Sequence, residues 1–291
     1  MLSDIIAPDA RLETIATGLT ITEGTVWHPR DNYLVFSDLG TGKVYRWSEA
    51  DGLSILRTPS NITNGNTIDR QGRIISCEHA TNCVSRFEAD PRHVKVLAST
   101  YQGVAFNSPN DVIVDSQDRI WFTDPDYGRT SPRVGIIRPL DLPYKGVFRL
   151  DPDGSITLVA SDFIQPNGLC LTPDERHLLV NDTTRSHVRR FTVKADGSLE
   201  DGEVLATITG DGVGKPDGMK VDTAGRIYTT GPGGIHVLTP EGGFIGVIKT
   251  PANTRNFCFG NADYRTMYFA MDEAIARVQL RVTGVAPLQE A

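Results

Sequence analysis

The chain has 291 residues, of which 39% are hydrophobic and 22% charged, with 28 glycines; this is a globular composition that excludes collagen-like and disordered chains. A net charge of −7 argues against a nucleic-acid partner, since an acidic protein repels phosphate backbones. No apolar run reaches the roughly 18 residues a membrane helix requires, so no membrane partner is expected either.

In chain order, the first residues, Met1 to Ile6, lack the basic and apolar regions of a secretory signal. Cys77, Cys83, Cys170 and Cys258 form no CxxC pair, so they read as reduced, buried thiols of a cytoplasmic protein. Glu13 to Gly18 is a lone strand. After it, six short stretches resemble one another: Glu23-Gly24, Asn64-Gly65, Asn110-Asp111, Asn167-Gly168, Asp217-Gly218 and Asn256-Phe257, spaced 39 to 57 residues apart. Each opens a short apolar strand, such as Thr25-Val26-Trp27 or Leu169-Cys170-Leu171. A polar turn and a second strand follow, as in Gln117-Asp118-Arg119-Ile120-Trp121-Phe122. The third strand alternates apolar and basic residues, as in Val147-Phe148-Arg149-Leu150. Period-2 alternation bounded by Gly, Asp and Asn predicts strands throughout, and no amphipathic helix is evident.

A fourth strand closes five repeats, while the last runs out near Leu280. The N-terminal strand resembles the missing one. The expectation is therefore an all-β, six-bladed β-propeller of four-stranded antiparallel blades, a single domain over residues 1–291, with the last blade closed by the N-terminal strand. A β-sandwich also has many short strands but does not explain six matched repeats. The third repeat is longest; Tyr127 to Gly146 carries Gly128, Pro132, Gly135, Pro139 and Pro143 and reads as a long loop, either a lid or a surface insertion. Asp153-Gly154, Asp196-Gly197 and Asp201-Gly202 read as turns.

In a propeller the start of each first strand faces the axis. Glu23, Asn64, Asn110, Asn167, Asp217 and Asn256 would then bring six side-chain oxygens together, two of them on carboxylates. Such a set suits one hard divalent cation, Ca²⁺ or Mg²⁺, and Mn²⁺ less exclusively. Taken singly, Asn-Gly and Asp-Gly are hairpin-turn signals; only their recurrence points to a site. Asn64 is expected to line the pocket. His79 and the Asp124-Pro125-Asp126-Tyr127 stretch end second strands near the same mouth, where His79, Asp126 and Tyr127 are substrate-contact candidates. There is no HExxH, GxSxG or phosphate-binding glycine loop.

Thr22-Glu23-Gly24-Thr25-Val26-Trp27, Ser108-Pro109-Asn110-Asp111-Val112, Trp121-Phe122-Thr123-Asp124-Pro125, Gln165-Pro166-Asn167-Gly168-Leu169 and Pro216-Asp217-Gly218-Met219 together resemble the SMP-30/gluconolactonase family across the chain, above all its bacterial gluconolactonase branch. The resemblance implies one divalent metal, with Ca²⁺ favoured and Mg²⁺, Mn²⁺ or Zn²⁺ as alternatives, and hydrolysis of a small sugar lactone. It implies Glu23, Asn167 and Asp217 as metal ligands, Asn110 at the metal or the substrate, and Asp217 as general base. Glu78-His79 fits the pattern, but Ala80-Thr81-Asn82-Cys83 follows where the family commonly has Gly and a basic pair. Alternatives are an organophosphate hydrolase of the diisopropylfluorophosphatase type and a non-catalytic binding propeller. The assembly is expected to be a monomer or homodimer.

Overall fold

A computed structural model describes residues 1–287; the expected domain's last four residues lie outside it. Six four-stranded antiparallel sheets form the blades of a six-bladed β-propeller. Blade 1 is Thr22–His28, Tyr33–Asp38, Lys43–Ser48 and Gly52–Arg57; blade 2 is Thr63–Ile68, Ile74–Glu78, Cys83–Phe87 and Val94–Ala98. Blade 3 is Val112–Val114, Ile120–Asp124, Gly146–Leu150 and Ile156–Ala160; blade 4 is Pro166–Leu171, His177–Asp182, His187–Val193 and Leu199–Thr207. Blade 5 is Met219–Val221, Ile227–Gly231, Gly234–Leu238 and Phe244–Lys249. Blade 6 has Thr254–Gly260, Thr266–Met271 and Ala274–Gln279, and its outer strand is Glu13–Thr17 from the N-terminus. Glu13 pairs in register with Arg277, as the orphan strand predicted. The one α-helix among the described residues is a single turn, Tyr127–Thr130.

Burial follows position within a blade. Second strands such as Ile74–Glu78 and Ile120–Asp124 are buried along their whole length, because neighbouring blades cover both faces. Outer strands such as Gly52–Arg57 alternate exposed and half-buried residues, as a solvated edge does. Between blades the core is aromatic: Trp27 of blade 1 stacks on Tyr268 of blade 6 at 5.4 Å, and Phe106, Phe122 and Phe148 pack edge-on and stacked around blade 3. Each such ring contributes about 1.5–3 kcal/mol by burial. All four cysteines are free and buried, as expected.

Two recurring devices fix the strand ends. Asp69, Asp115 and Asp222 each follow an inner strand, and each takes the amide and Nε of the Arg four residues on: Arg73 at 2.7 and 2.7 Å, Arg119 at 3.0 and 2.6 Å, Arg226 at 3.0 and 2.6 Å. These staples close the first hairpin of blades 2, 3 and 5. At the other end, second strands finish on a buried carboxylate that accepts amides of the segment entering the same blade. Asp38 takes Ile21, Asp124 takes Asn107 and Ser108, and Asp182 takes Ile164 and Gln165.

The Asn-Gly openings are not hairpin turns. Asn64-Gly65 and Asn167-Gly168 lie at β-bulges inside inner strands, and Asp217-Gly218 stands just ahead of one. The Gly65 amide donates to the Asn110 carbonyl and the Gly168 amide to the Asp217 carbonyl, both at 2.8 Å. A Cβ at Gly168 would collide with that Asp217 oxygen. Glycine here permits adjoining blades to meet backbone to backbone. Gly154 and Gly197 do sit in turns. Asp201-Gly202 does not: it is a bulge within Leu199–Thr207, with Gly202 at φ +91.

Candidate active site

The openings stand at bulges in, or just ahead of, the inner strands at one end of the axis, so their side chains converge. Glu23, Asn64, Asn110, Asn167 and Asp217, from five different blades, line one cavity of about 510 Å³. His79 and Tyr127 join them, as do Thr183, Lys215, Asn253, Arg255 and apolar walls from Ile21, Leu39, Val134 and Val213. The sixth opening, Asn256, lies behind this wall: its Nδ2 donates to Glu23 Oε2 at 3.2 Å, while its Oδ1 accepts the Phe257 amide at 2.9 Å. The Gly24 amide reaches the same Glu23 oxygen at 3.2 Å. Both donors therefore hold Oε2, and Oε1 is left to the cavity.

The other oxygens are oriented in the same way. Asn167 Nδ2 donates to Thr183 Oγ1 at 3.0 Å, and that hydroxyl donates to the Pro216 carbonyl at 2.6 Å. The Asn167 Oδ1 is thus free of the amide's anchoring bond. The Asp217 amide is held by Thr230 Oγ1 at 2.7 Å. Burial raises the Glu23 and Asp217 carboxyls well above the usual range, and Glu23 is raised further by the charge of Asp217; Arg255 opposes both shifts. Arg255 is itself paired with Asp272 at 2.7 Å. Two carboxylates forced together with one shared, already paired cation make a place where a divalent cation is electrostatically favoured. Among the described residues no three His, Cys, Asp or Glu side chains converge; the donor set is two carboxylates plus carboxamides.

His79 is fully buried. Its Nε2 meets Asn64 Nδ2 at 3.2 Å and its Nδ1 meets the Val134 carbonyl at 2.7 Å. The amide can only donate and the carbonyl only accept, so the proton sits on Nδ1. Burial lowers the ring to about 4, which keeps it neutral. His79 thus pins Asn64 and the long loop, and leaves Asn64 Oδ1 to the cavity.

The long loop is a fastened wall. Arg129 is buried and donates to the carbonyls of Asn107, Phe106 and Pro139, each at 2.6 Å, and pairs with Asp141. Arg138 donates to the His79 carbonyl at 2.8 Å and contacts Asn82. These bonds hold Tyr127 and Val134 on the cavity wall. Asp126 is not on that wall: Lys145 takes it at 2.7 Å and Gln165 at 2.6 Å. Sequence reasoning missed Thr183, Asn253, Arg255 and Lys215. Thr183 carried a readable signal, since it follows Asp182 as His79 follows Glu78.

The fold and site together define a six-bladed propeller with an oxygen-rich cavity on its axis. The chain belongs to the SMP-30/gluconolactonase/LRE-like family, whose pattern matches residues 21–272. A gluconolactonase of Zymomonas mobilis is 30% identical over 97% of this chain and 85% of its own length. The pentonolactonase XacC of Haloferax volcanii is 25% identical over 87% and 82%. Among solved structures, a gluconolactonase of Xanthomonas campestris superposes with a TM-score of 0.90 at 34% identity, covering 96% of this chain and 92% of that one.

Proposed function

We propose that this protein is a lactonase that hydrolyses a small sugar lactone with the help of one divalent cation, for which Ca²⁺ is the first choice. The observation that carries the reading is the convergence of Glu23, Asn167 and Asp217 in the axial cavity, in a chain whose relatives are named for gluconolactone and pentonolactone hydrolysis. Those names favour a lactone over an organophosphate. The three side chains would hold the cation through oxygen alone. That set suits Ca²⁺ or Mg²⁺ better than Zn²⁺, because the one imidazole on the wall, His79, already has both nitrogens engaged.

When bound, the cation supplies Lewis-acid polarisation of the acyl oxygen. The chain's residues do the rest. Asn110, Tyr127 and the free oxygen of Asn64 orient the ring hydroxyls. Asp217 accepts a proton as the water oxygen bonds to the acyl carbon. The ring C–O bond then breaks, and the proton passes to the ring oxygen, which leaves as a hydroxyl of the open-chain hydroxy acid. Ile21, Leu39, Val134 and Val213 cover the non-polar face of the ring.

The test is acid release from glucono-lactone by metal-stripped protein, with Ca²⁺, Mg²⁺, Mn²⁺ and Zn²⁺ added back separately. Metal-free protein should be inactive, and Glu23→Gln and Asp217→Asn should each lose at least about 100-fold in kcat/KM while staying folded. Full activity in the metal-free protein or in either variant would sink the proposal.

A further inference from the structure

Arg255 lines the cavity but has no part in the hydrolysis described above. It is the extra residue of a β-bulge in blade 6: Thr254 pairs with Met271 and Asn256 with the adjacent Ala270, so Arg255 falls between them unpaired. Bulges beside active sites re-aim a side chain, and this one turns the guanidinium to the cavity wall. Both ends of the residue are fixed. Its carbonyl accepts the Gly218 amide of blade 5 at 2.7 Å, and its Nε donates to Asp272 Oδ1 at 2.7 Å. Asp272 is held in turn: its amide donates to the Asn253 carbonyl at 3.1 Å and its carbonyl accepts the Thr22 amide at 3.0 Å.

That tether uses one of the five N–H donors of a guanidinium. Nη1 and Nη2 have no hydrogen-bond partner among the described residues, and the side chain keeps 23% of its surface exposed. Glu23 and Asp217 both act on Arg255: burial works against its charge, and the fields of Glu23, Asp217 and Asp272 outweigh that penalty. Yet the one ion pair of Arg255 among the described residues is with Asp272. A guanidinium free to move would close on a nearby carboxylate through both terminal nitrogens. Here the tether stops it short of the two acids, and four N–H donors are left to whatever occupies the cavity.

We propose that Arg255 is a catalytic residue whose terminal N–H groups donate to the acyl oxygen of the lactone and hold the charge that gathers there. This rests on the lactonase reading above and adds a residue to the same site. As the water oxygen bonds to the acyl carbon, the carbonyl electron pair moves onto the acyl oxygen, and the guanidinium hydrogen-bonds that oxyanion while keeping its own protons. The pair then returns, the ring C–O bond breaks, and the ring oxygen receives its proton by way of Asp217. A planar fork on a fixed tether needs no rearrangement when the charge appears, which is what makes such donors effective.

The experiment measures glucono-lactone hydrolysis, inhibition by gluconate and calorimetric Ca²⁺ affinity in wild type, Arg255→Gln and Arg255→Lys. Arg255→Gln should lose about 10²- to 10³-fold in kcat, the range for one oxyanion donor, with KM within about threefold of wild type. Arg255→Lys should stay at least about tenfold down, because an ammonium has no planar fork and Asp272 competes for it. Gluconate offers its carboxylate to the same fork and should inhibit both variants at least about tenfold more weakly. Ca²⁺ affinity should move the other way: taking a positive charge from beside Glu23 and Asp217 leaves it unchanged or tightens it in Arg255→Gln. Ca²⁺ binding that weakens in step with kcat would mean that Arg255 only props up the acids, and wild-type kcat in Arg255→Lys would mean that charge alone suffices. Either result overturns the inference and leaves the lactonase reading standing. If Arg255→Gln does not fold, Asp272→Asn keeps the guanidinium and cuts its tether; kcat about tenfold lower at unchanged Ca²⁺ affinity supports the role, and unchanged kcat overturns it. No turnover of any lactone by wild type with any of the four metals overturns the lactonase reading and this inference with it.

Discussion

Asn256 donates to one oxygen of Glu23 while its own carbonyl is held by the next amide. A carboxylate presented to a cation must be oriented by something behind it, and such outer partners typically change metal affinity by about 10- to 100-fold when removed. Asn256→Leu should therefore weaken Ca²⁺ binding by that factor in a calorimetric titration, with the fold retained; an unchanged affinity would deny Asn256 this role. In the sequence Asn256 was one of six equal openings, distinguished only by the Phe that follows it. The closed ring inferred from the orphan N-terminal strand puts blade 6 beside blade 1, but nothing in residue order shows that the Asn256 side chain turns to Glu23, 233 positions away, rather than into the cavity. Glu23, Asn167 and Asp217 were legible because each opens a repeat; Arg255 and Lys215 were not, because they precede the openings at no fixed spacing.

At the scale of elements, the Asp–Arg staples are the firmest points of the hairpins. Asp115 is fully buried, and besides Arg119 it accepts the Trp121 indole at 2.8 Å. Asp115→Ala leaves a buried guanidinium and a buried N–H unpaired, and should cost about 3–5 kcal/mol, read as a lower urea midpoint; a midpoint within error of wild type would discount the staple. The strands themselves were readable from alternation, since each blade face repeats every second residue. The Asn-Gly openings were ambiguous, because one dipeptide serves a hairpin turn or a bulge, and the choice is made by the backbone of the next blade. The loop from Tyr127 to Lys145 was readable only as irregular. What fixes it, Arg129 and Arg138 bonding to main-chain carbonyls, leaves no pattern in side-chain order.

For the whole molecule, the decisive element is the N-terminal strand in blade 6. Arg277 ties it down through Glu13 at 2.8 Å and reaches blade 1 through Glu49 at 2.5 Å, while Ile5 and Ala16 are buried in the core beneath. Removing residues 1–17 would bare the edge Ala274–Gln279 and part of that core, and exposed edges pair with other chains. The truncated protein should elute as oligomers and unfold at least about 10 °C lower; a monomer of unchanged melting temperature would contradict the closure.

That closure also sets an order in time. Glu13 and Arg277 are 264 residues apart, among the longest-range contacts a chain of this length can make, and such contacts form late because the intervening loop must first be closed. During synthesis the first five blades emerge with Glu23, Asn167 and Asp217 already made, but Arg255 and Asn256 are still to come. The ring is sealed only when the last strand leaves the ribosome and meets the first. A chain without blade 6 would therefore hold the cavity's acids but lack Asn256, which donates to Glu23, and Arg255, which opposes the raised pKa of both carboxyls.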